Sequence, residues 1–183
     1  MNRQSSLFEE EPRYSVDTNV IVSFMRRSDD EHYGSDVFAP QWQYIEQLIA
    51  SRAIIAAHEV GKELKSWCKK IEGLTDWLQV RASMFVEINS DQLASAKKIV
   101  KAYPAYGMTQ NYLGDLTVMS LADSLGIAVL TLESPTENSG MRRPKIPNVC
   151  RELGIECYSV VGFLRRERFG GAGSGEASGT FGE

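Results

Sequence analysis

Two hydrophobic rhythms alternate along the chain. Short apolar runs such as Tyr14-Ser15-Val16, Ala53-Ile54-Ile55-Ala56-Ala57 and Ile127-Ala128-Val129-Leu130 are separated by longer stretches in which apolar residues recur every three or four positions. Runs without a polar alternate are expected of strands buried on both faces of a parallel sheet, and the three-to-four spacing is one face of a helix. The pattern predicts strands over residues 13–17, 53–57, 127–130 and 155–160, with a short extended segment at 84–88. It predicts helices over residues 19–27, 41–51, 58–70, 73–82, 91–102 and 111–125, and a short one ending near Arg168. In the fifth helix Leu93, Ala96, Ile99 and Val100 face inward, Ser90 is the expected cap and Pro104 the stop. Gly126 closes the sixth as its C-terminal cap, and Asp123, three-quarters of the way along, is expected to be exposed. Strands alternating with helices give an α/β fold: a three-layer α/β/α sandwich with a mainly parallel central sheet.

The polar segments set the boundaries. Residues 1–12 read as a flexible arm, 13–168 as one domain, and the Gly/Ser-rich residues 169–183 as a disordered tail. A length of 183 residues supports one domain with a real core. The segment from Pro144 to Cys150 has no element assigned to it and reads as part of a long C-terminal section. Glu9-Glu10-Glu11 and the lack of an apolar h-region argue against a secretory signal. With no long apolar stretch, a membrane span is not expected, and the expected location is the cytoplasm. Cys68, Cys150 and Cys157 show no metal-ligand spacing and read as buried, reduced thiols.

The net charge of -4 provides no global field to attract nucleic acid. Any nucleic-acid contact then falls to local basic groups, Arg26-Arg27 after the first helix and Arg142, Arg143 and Lys145 in the loop after the strand at 127–130. Arg165, Arg166 and Arg168 flank the last helix and serve solubility equally well. The acidic residues are more pointed in their placement. Asp17 follows the first strand, Glu59 and Glu63 lie on the helix after the second, Asp115 falls in the first turn of the helix at 111–125, and Glu133 follows the strand at 127–130. In a right-handed parallel domain these positions meet at one sheet edge, the edge where ligands bind. Converging carboxylates repel unless a cation joins them, and an all-oxygen set with no His/Cys cluster selects Mg²⁺ or Mn²⁺. Glu59 reads as surface, paired to Lys62 or Lys69, but spacing alone leaves Glu59 and Glu63 both open as the second acid.

The ordered set Val16-Asp17-Thr18-Asn19-Val20, Val60-Gly61-Lys62-Glu63-Leu64, Asp115 to Gly126 and Val129-Leu130-Thr131-Leu132-Glu133 resembles the PIN-domain nucleases, over roughly residues 13 to 165. Glu133 stands where Asp is more frequent in that family, and the longer C-terminal section looks like an uncharacterised prokaryotic PIN-like subgroup. The resemblance implies a Mg²⁺- or Mn²⁺-dependent endoribonuclease. Asp17, Glu63, Asp115 and Glu133 would be the catalytic, metal-binding set, with Asn19 and Thr131 as polar support. It also implies RNA as substrate, and extends to a toxin-antitoxin module with an antitoxin protein as partner, and to a homodimer. The alternative is a catalytically inactive PIN-like module that binds RNA or protein. A phosphoryl-transfer enzyme on a Rossmann-like sheet is disfavoured, because Asp17 lacks a second Asp two residues on and no Gly-rich phosphate loop precedes a helix.

Overall fold

A computed structural model describes residues 10–29, 31–136 and 144–170 of the chain. The expectations placed on residues 1–9 and 171–183, and on Arg142 and Arg143, lie outside the described residues. In chain order the elements are β1 (Tyr14–Val16), α1 (Thr18–Met25), α2 (Ala39–Ala50), β2 (Ile54–Ala57), α3 (His58–Trp67), α4 (Leu74–Val80), β3 (Phe85–Val86), α5 (Ser90–Ala102), α6 (Leu113–Leu125), β4 (Ala128–Leu130), α7 (Ile146–Leu153), β5 (Cys157–Tyr158) and α8 (Val160–Arg166). The five strands form one parallel sheet in the order β3-β2-β1-β4-β5.

The apolar runs become strands because each is covered on both faces. Tyr14, Val16, Ile54, Ile55, Val129 and Leu130 are all at most 1 % exposed. Successive side chains of β1 point to opposite faces. On one, the Ser15 hydroxyl donates to the Val118 carbonyl of α6 at 3.0 Å; on the other, the Tyr14 ring meets Phe163 of α8 edge-on at 5.0 Å. Helices therefore lie on both sides of the sheet, and the α/β sandwich expected from the two rhythms is the fold observed. No helix among the described residues is long and apolar enough to cross a membrane.

Glu167, just past α8, clamps the amino end of β1. Its Oε1 accepts from Arg13 Nη1 at 2.7 Å and from the Tyr14 hydroxyl at 2.5 Å, and its Oε2 accepts from the Tyr44 hydroxyl at 3.1 Å. Burial pushes this carboxyl up, but the Tyr14, Arg13 and Tyr44 donors outweigh it and hold the pKa below its ordinary value. Glu167 therefore contributes stability that is present above the unfolded carboxyl's pKa and is lost as pH falls through the lower folded value. Glu167→Gln is expected to lose about 1–3 kcal/mol at neutral pH. Urea unfolding should show that difference closing as the pH falls; a gap of constant size would mean that charge is not what the clamp uses.

Several local expectations are corrected. The cap of α5 is Asn89, whose Oδ1 accepts from the Gln92 amide at 2.9 Å, and Ser90 is the first helical residue. Leu93 is 45 % exposed, whereas Gln92 is 1 % exposed. The buried row is Gln92, Ser95, Ala96 and Ile99, one position round from the row that apolar residues alone suggest. Asp123 is largely covered, accepting from the Ser95 hydroxyl at 2.6 Å. The segment from Pro144 to Cys150 enters a helix, because Pro147 falls in the first turn of α7, where a missing N–H costs nothing. Phe169, assigned to the tail, packs on Tyr44 with centroids 5.3 Å apart. At the other end the Glu10 amide donates to the Ser51 carbonyl at 2.8 Å, so the arm is docked from residue 10 onward. Of the three free thiols only Cys150 is fully buried; it is hydrogen-bonded to Cys157, and this bond together with burial pushes it up.

Candidate active site

The sheet places Asp17 at its turning point. From β1 the chain adds β2 and β3 on one side, then crosses over and adds β4 and β5 on the other. The crevice at the carboxyl ends of two strands where that reversal happens is where open α/β sheets bind ligands. Here those strands are β1, which ends at Asp17, and β4, which ends at Thr131. Val16 pairs with Leu130, and the Asp17 amide donates to the Leu130 carbonyl at 2.9 Å. Register therefore puts the next residues, Asp17 and Thr131, side by side.

The Asp17 carboxylate is fixed by that neighbour. Its Oδ2 accepts from the Thr131 hydroxyl at 2.7 Å and from Asn19 Nδ2 at 2.5 Å. Asn19 Oδ1 in turn accepts from the Leu132 amide at 3.0 Å, and Thr131 Oγ1 from the Glu133 amide at 3.1 Å. Asn19 and Thr131 thus tie the turn after β1 to the turn after β4 and aim the acid. Asp17 occupies the N-cap position of α1 without a side-chain capping bond. Both fixing bonds fall on Oδ2.

Glu63 comes from the second turn of α3, which begins directly at the end of β2. Its Oε2 accepts from the Thr18 hydroxyl at 2.5 Å. Against it lies the first turn of α6: a Cβ on Gly114 would stand 2.0 Å from Glu63 Oε1 and 2.6 Å from its carboxyl carbon. The absent side chain at Gly114 is what lets the carboxylate occupy this space, and Asp115 is the next residue. Glu59 is instead paired on the surface with Lys62 at 2.6 Å.

Burial raises the Asp17 pKa from 3.8 to about 6; the Thr131 bond opposes this, the charges of Glu133 and Glu63 add to it, and Asn19 opposes it. Asp17 therefore sits in the joint field of Glu63 and Glu133. Glu133 is differently engaged. Its Oε1 is 3.1 Å from Lys145 Nζ, and its Oε2 accepts from the Ile146 amide at 2.8 Å, at the amino end of α7. A lysine and a helix terminus thus engage Glu133, unlike Asp17 and Glu63. Lys145, expected to contact nucleic acid, is that counter-ion.

Arg26 and Arg27 lie at the far end of α1, about 12 Å of helix from Asp17. Arg26 is bonded to Glu31 at 2.8 Å. The structure does not bring this pair to the acids. Among the described residues, no three His, Cys, Asp or Glu side chains stand close enough to form a ready-made ion site. Two oxygen donors stand at the edge, Asp17 Oδ1 and the Glu63 carboxylate, and Asp115 follows Gly114 in the first turn of α6. Oxygen donors of this kind suit a hard divalent cation. Thr18 was missed from the sequence because a hydroxyl in a first turn reads as a cap.

No curated protein matches the chain. A family model matches residues 14–170, from β1 through α8, and the chain therefore belongs to the family described as a domain of unknown function, DUF4411.

Proposed function

We propose that this protein is a Mg²⁺- or Mn²⁺-dependent endoribonuclease of PIN type. The observation that carries the reading is a buried carboxylate, Asp17, held at the sheet's turning point by Thr131 and Asn19 and subject to the charges of Glu63 and Glu133. Burying an acid among like charges costs stability, and such arrangements concentrate at functional sites.

Asp17, Glu63 and Asp115 would hold the metal, which when bound supplies counter-charge to the phosphate and lowers the pKa of a water. The residues of this chain do the positioning. Thr131 and Asn19 keep the Asp17 carboxylate from rotating. Thr18 and the gap at Gly114 seat Glu63. Glu133 holds Lys145 beside the cluster, where the ammonium would face an approaching phosphate. Proton transfer falls to the carboxylates, since the cluster contains no histidine.

One observation favours a second reading, the binding module that does not cut. The Glu133 carboxylate has both oxygens occupied by Lys145 and α7. Titration with Mn²⁺ separates the two. A nuclease should gain several degrees of melting temperature with Mn²⁺ in excess over its dissociation constant and cleave single-stranded RNA in the same buffer. No cleavage, with or without Mn²⁺ stabilisation, would favour the binding module.

A further inference from the structure

Between α3, α4 and the edge strand β3 lies a cavity of about 490 Å³, lined by none of Asp17, Glu63, Asp115 or Glu133. Its apolar walls are Leu78 from α4, Ala82 from the turn after it, and Phe85 from β3. Gly61 shapes the space. A Cβ at this position of α3 would stand 3.1 Å from the Phe85 ring, so glycine is what lets the half-buried ring lie against the helix backbone. The charged groups of the lining are sorted along α3. His58, Lys62 and Lys65 recur every three or four residues and share one face of the helix. At one end His58 Nδ1 is 2.7 Å from Glu87, the one acid in the lining. Lys62 reaches Glu59 at 2.6 Å. Lys65 is exposed and has no partner among the described residues, and it lies about 10 Å of helix beyond His58. The acid and the open cation are therefore at opposite ends of the cavity.

We infer that this cavity takes a nucleoside phosphate, with the base against Phe85 and the phosphate at Lys65. The volume falls within the roughly 300–1,000 Å³ of small-molecule sites, room for base and sugar together. An aromatic wall suits the face of any base. Thr75 and Gln79, the uncharged polar side chains on the α4 side, are exposed and adapt to a purine or a pyrimidine, so the ring is held without its identity being read. A phosphate monoester carries nearly two negative charges and three acceptor oxygens at neutral pH. It can therefore engage Lys65 and draw Lys62 from Glu59, whereas a carboxylate, with one charge, answers Lys65 alone. Gly61, which carries the contact with the Phe85 ring, is one turn before Lys65, so ring and ammonium flank the same space. Glu87 repels a phosphate at the His58 end, which fixes the ligand's direction. A free mononucleotide and one residue of an RNA strand offer the same chemistry, and the inference stands whether or not the chain cuts RNA.

The test is NMR titration of the ¹⁵N-labelled full chain with AMP, adenosine and ribose 5-phosphate, in EDTA so that no metal at the acids binds the phosphate. AMP should shift the Gly61 and Lys65 amides saturably, and adenosine and ribose 5-phosphate should each need at least about tenfold more ligand. Lys65→Glu, at an exposed position, should bring AMP down to the affinity of adenosine; Ala82→Trp, also exposed, should block binding by filling the cavity. A single-stranded oligoadenylate that binds more tightly than AMP and displaces it would assign the site to a strand, and the reverse order to a free nucleotide. No saturable response, either half of the molecule binding as well as AMP, or an AMP affinity that both variants leave unchanged overturns the inference. Cleavage of RNA in Mn²⁺ is read separately and bears on the nuclease reading alone.

Discussion

Asp17→Asn should yield a protein that no longer cleaves RNA and is more stable than the parent at neutral pH. The stability half follows from the raised pKa, 3.8 to about 6, caused first by burial. An acid whose folded pKa is raised binds its proton more tightly in the folded state, so folding is favoured below that value. Stability then falls as pH rises from about 4 to about 6 and stays lower above it. The two pKa values differ by roughly two, and at about 1.4 kcal/mol each the ionised group costs up to about 3 kcal/mol. Asparagine has the same shape, its carbonyl still accepts from Thr131 and Asn19, and it carries no charge. The variant should therefore be about 1–3 kcal/mol more stable at pH 7.5 and equal to the parent near pH 4. Urea unfolding across that range checks it; parallel curves would mean that Asp17 is not a strained acid. The activity half is a loss of about a thousandfold or more, since a metal ligand supplies several kcal/mol of transition-state stabilisation. Added Mn²⁺ should stabilise the parent and not the variant.

Gly114→Ala should weaken metal binding with little effect on stability. The new methyl would stand 2.0 Å from Glu63 Oε1, so the carboxylate has to move. It lies at the end of a flexible side chain, and its departure costs mainly the Thr18 bond. Alanine in a helical turn recovers up to about 1 kcal/mol over glycine, so the net change in stability should stay within about 1 kcal/mol. Mn²⁺ affinity, measured by calorimetry, should fall about 10- to 100-fold. Gly126→Ala provides the contrast. Gly126 caps α6 with φ +64°, a left-handed conformation that costs a side chain roughly 1–2 kcal/mol. That variant should lose stability and keep its Mn²⁺ affinity. Were Gly114→Ala to bind Mn²⁺ as the parent does, Glu63 would not belong to the site.

The sequence revealed what short-range physics decides. β1, β2, β4 and the Gly126 cap were readable because burial on two faces and a left-handed cap leave local signatures. That Asp17 and Glu133 would fall at one sheet edge was readable because the ends of neighbouring parallel strands share an edge. What escaped depends on pairing across long separations. Thr131 and Asn19 were expected only through the resemblance; the register that sets Thr131 beside Asp17 is what no local signal announces. Glu63 was named through the resemblance alone; its bond from Thr18 and the gap at Gly114 that seats it have no local signature. Gln92 escaped because the inward face was chosen by counting apolar residues, whereas its amide turns inward to reach Thr117 on another helix. Helix α7 was hidden by its prolines, which the first turn tolerates.

The bond from Thr131 to Asp17 spans 114 positions of sequence. During synthesis Asp17 emerges early and its restraint emerges late, and a parallel sheet cannot complete β1 until β4 is available to lie beside it. Until Thr131 has been made, the nascent chain thus carries Asp17 without the partner that aims it. The aim of Asp17 is therefore set only when β4 docks beside β1, and not when β1 and α1 form.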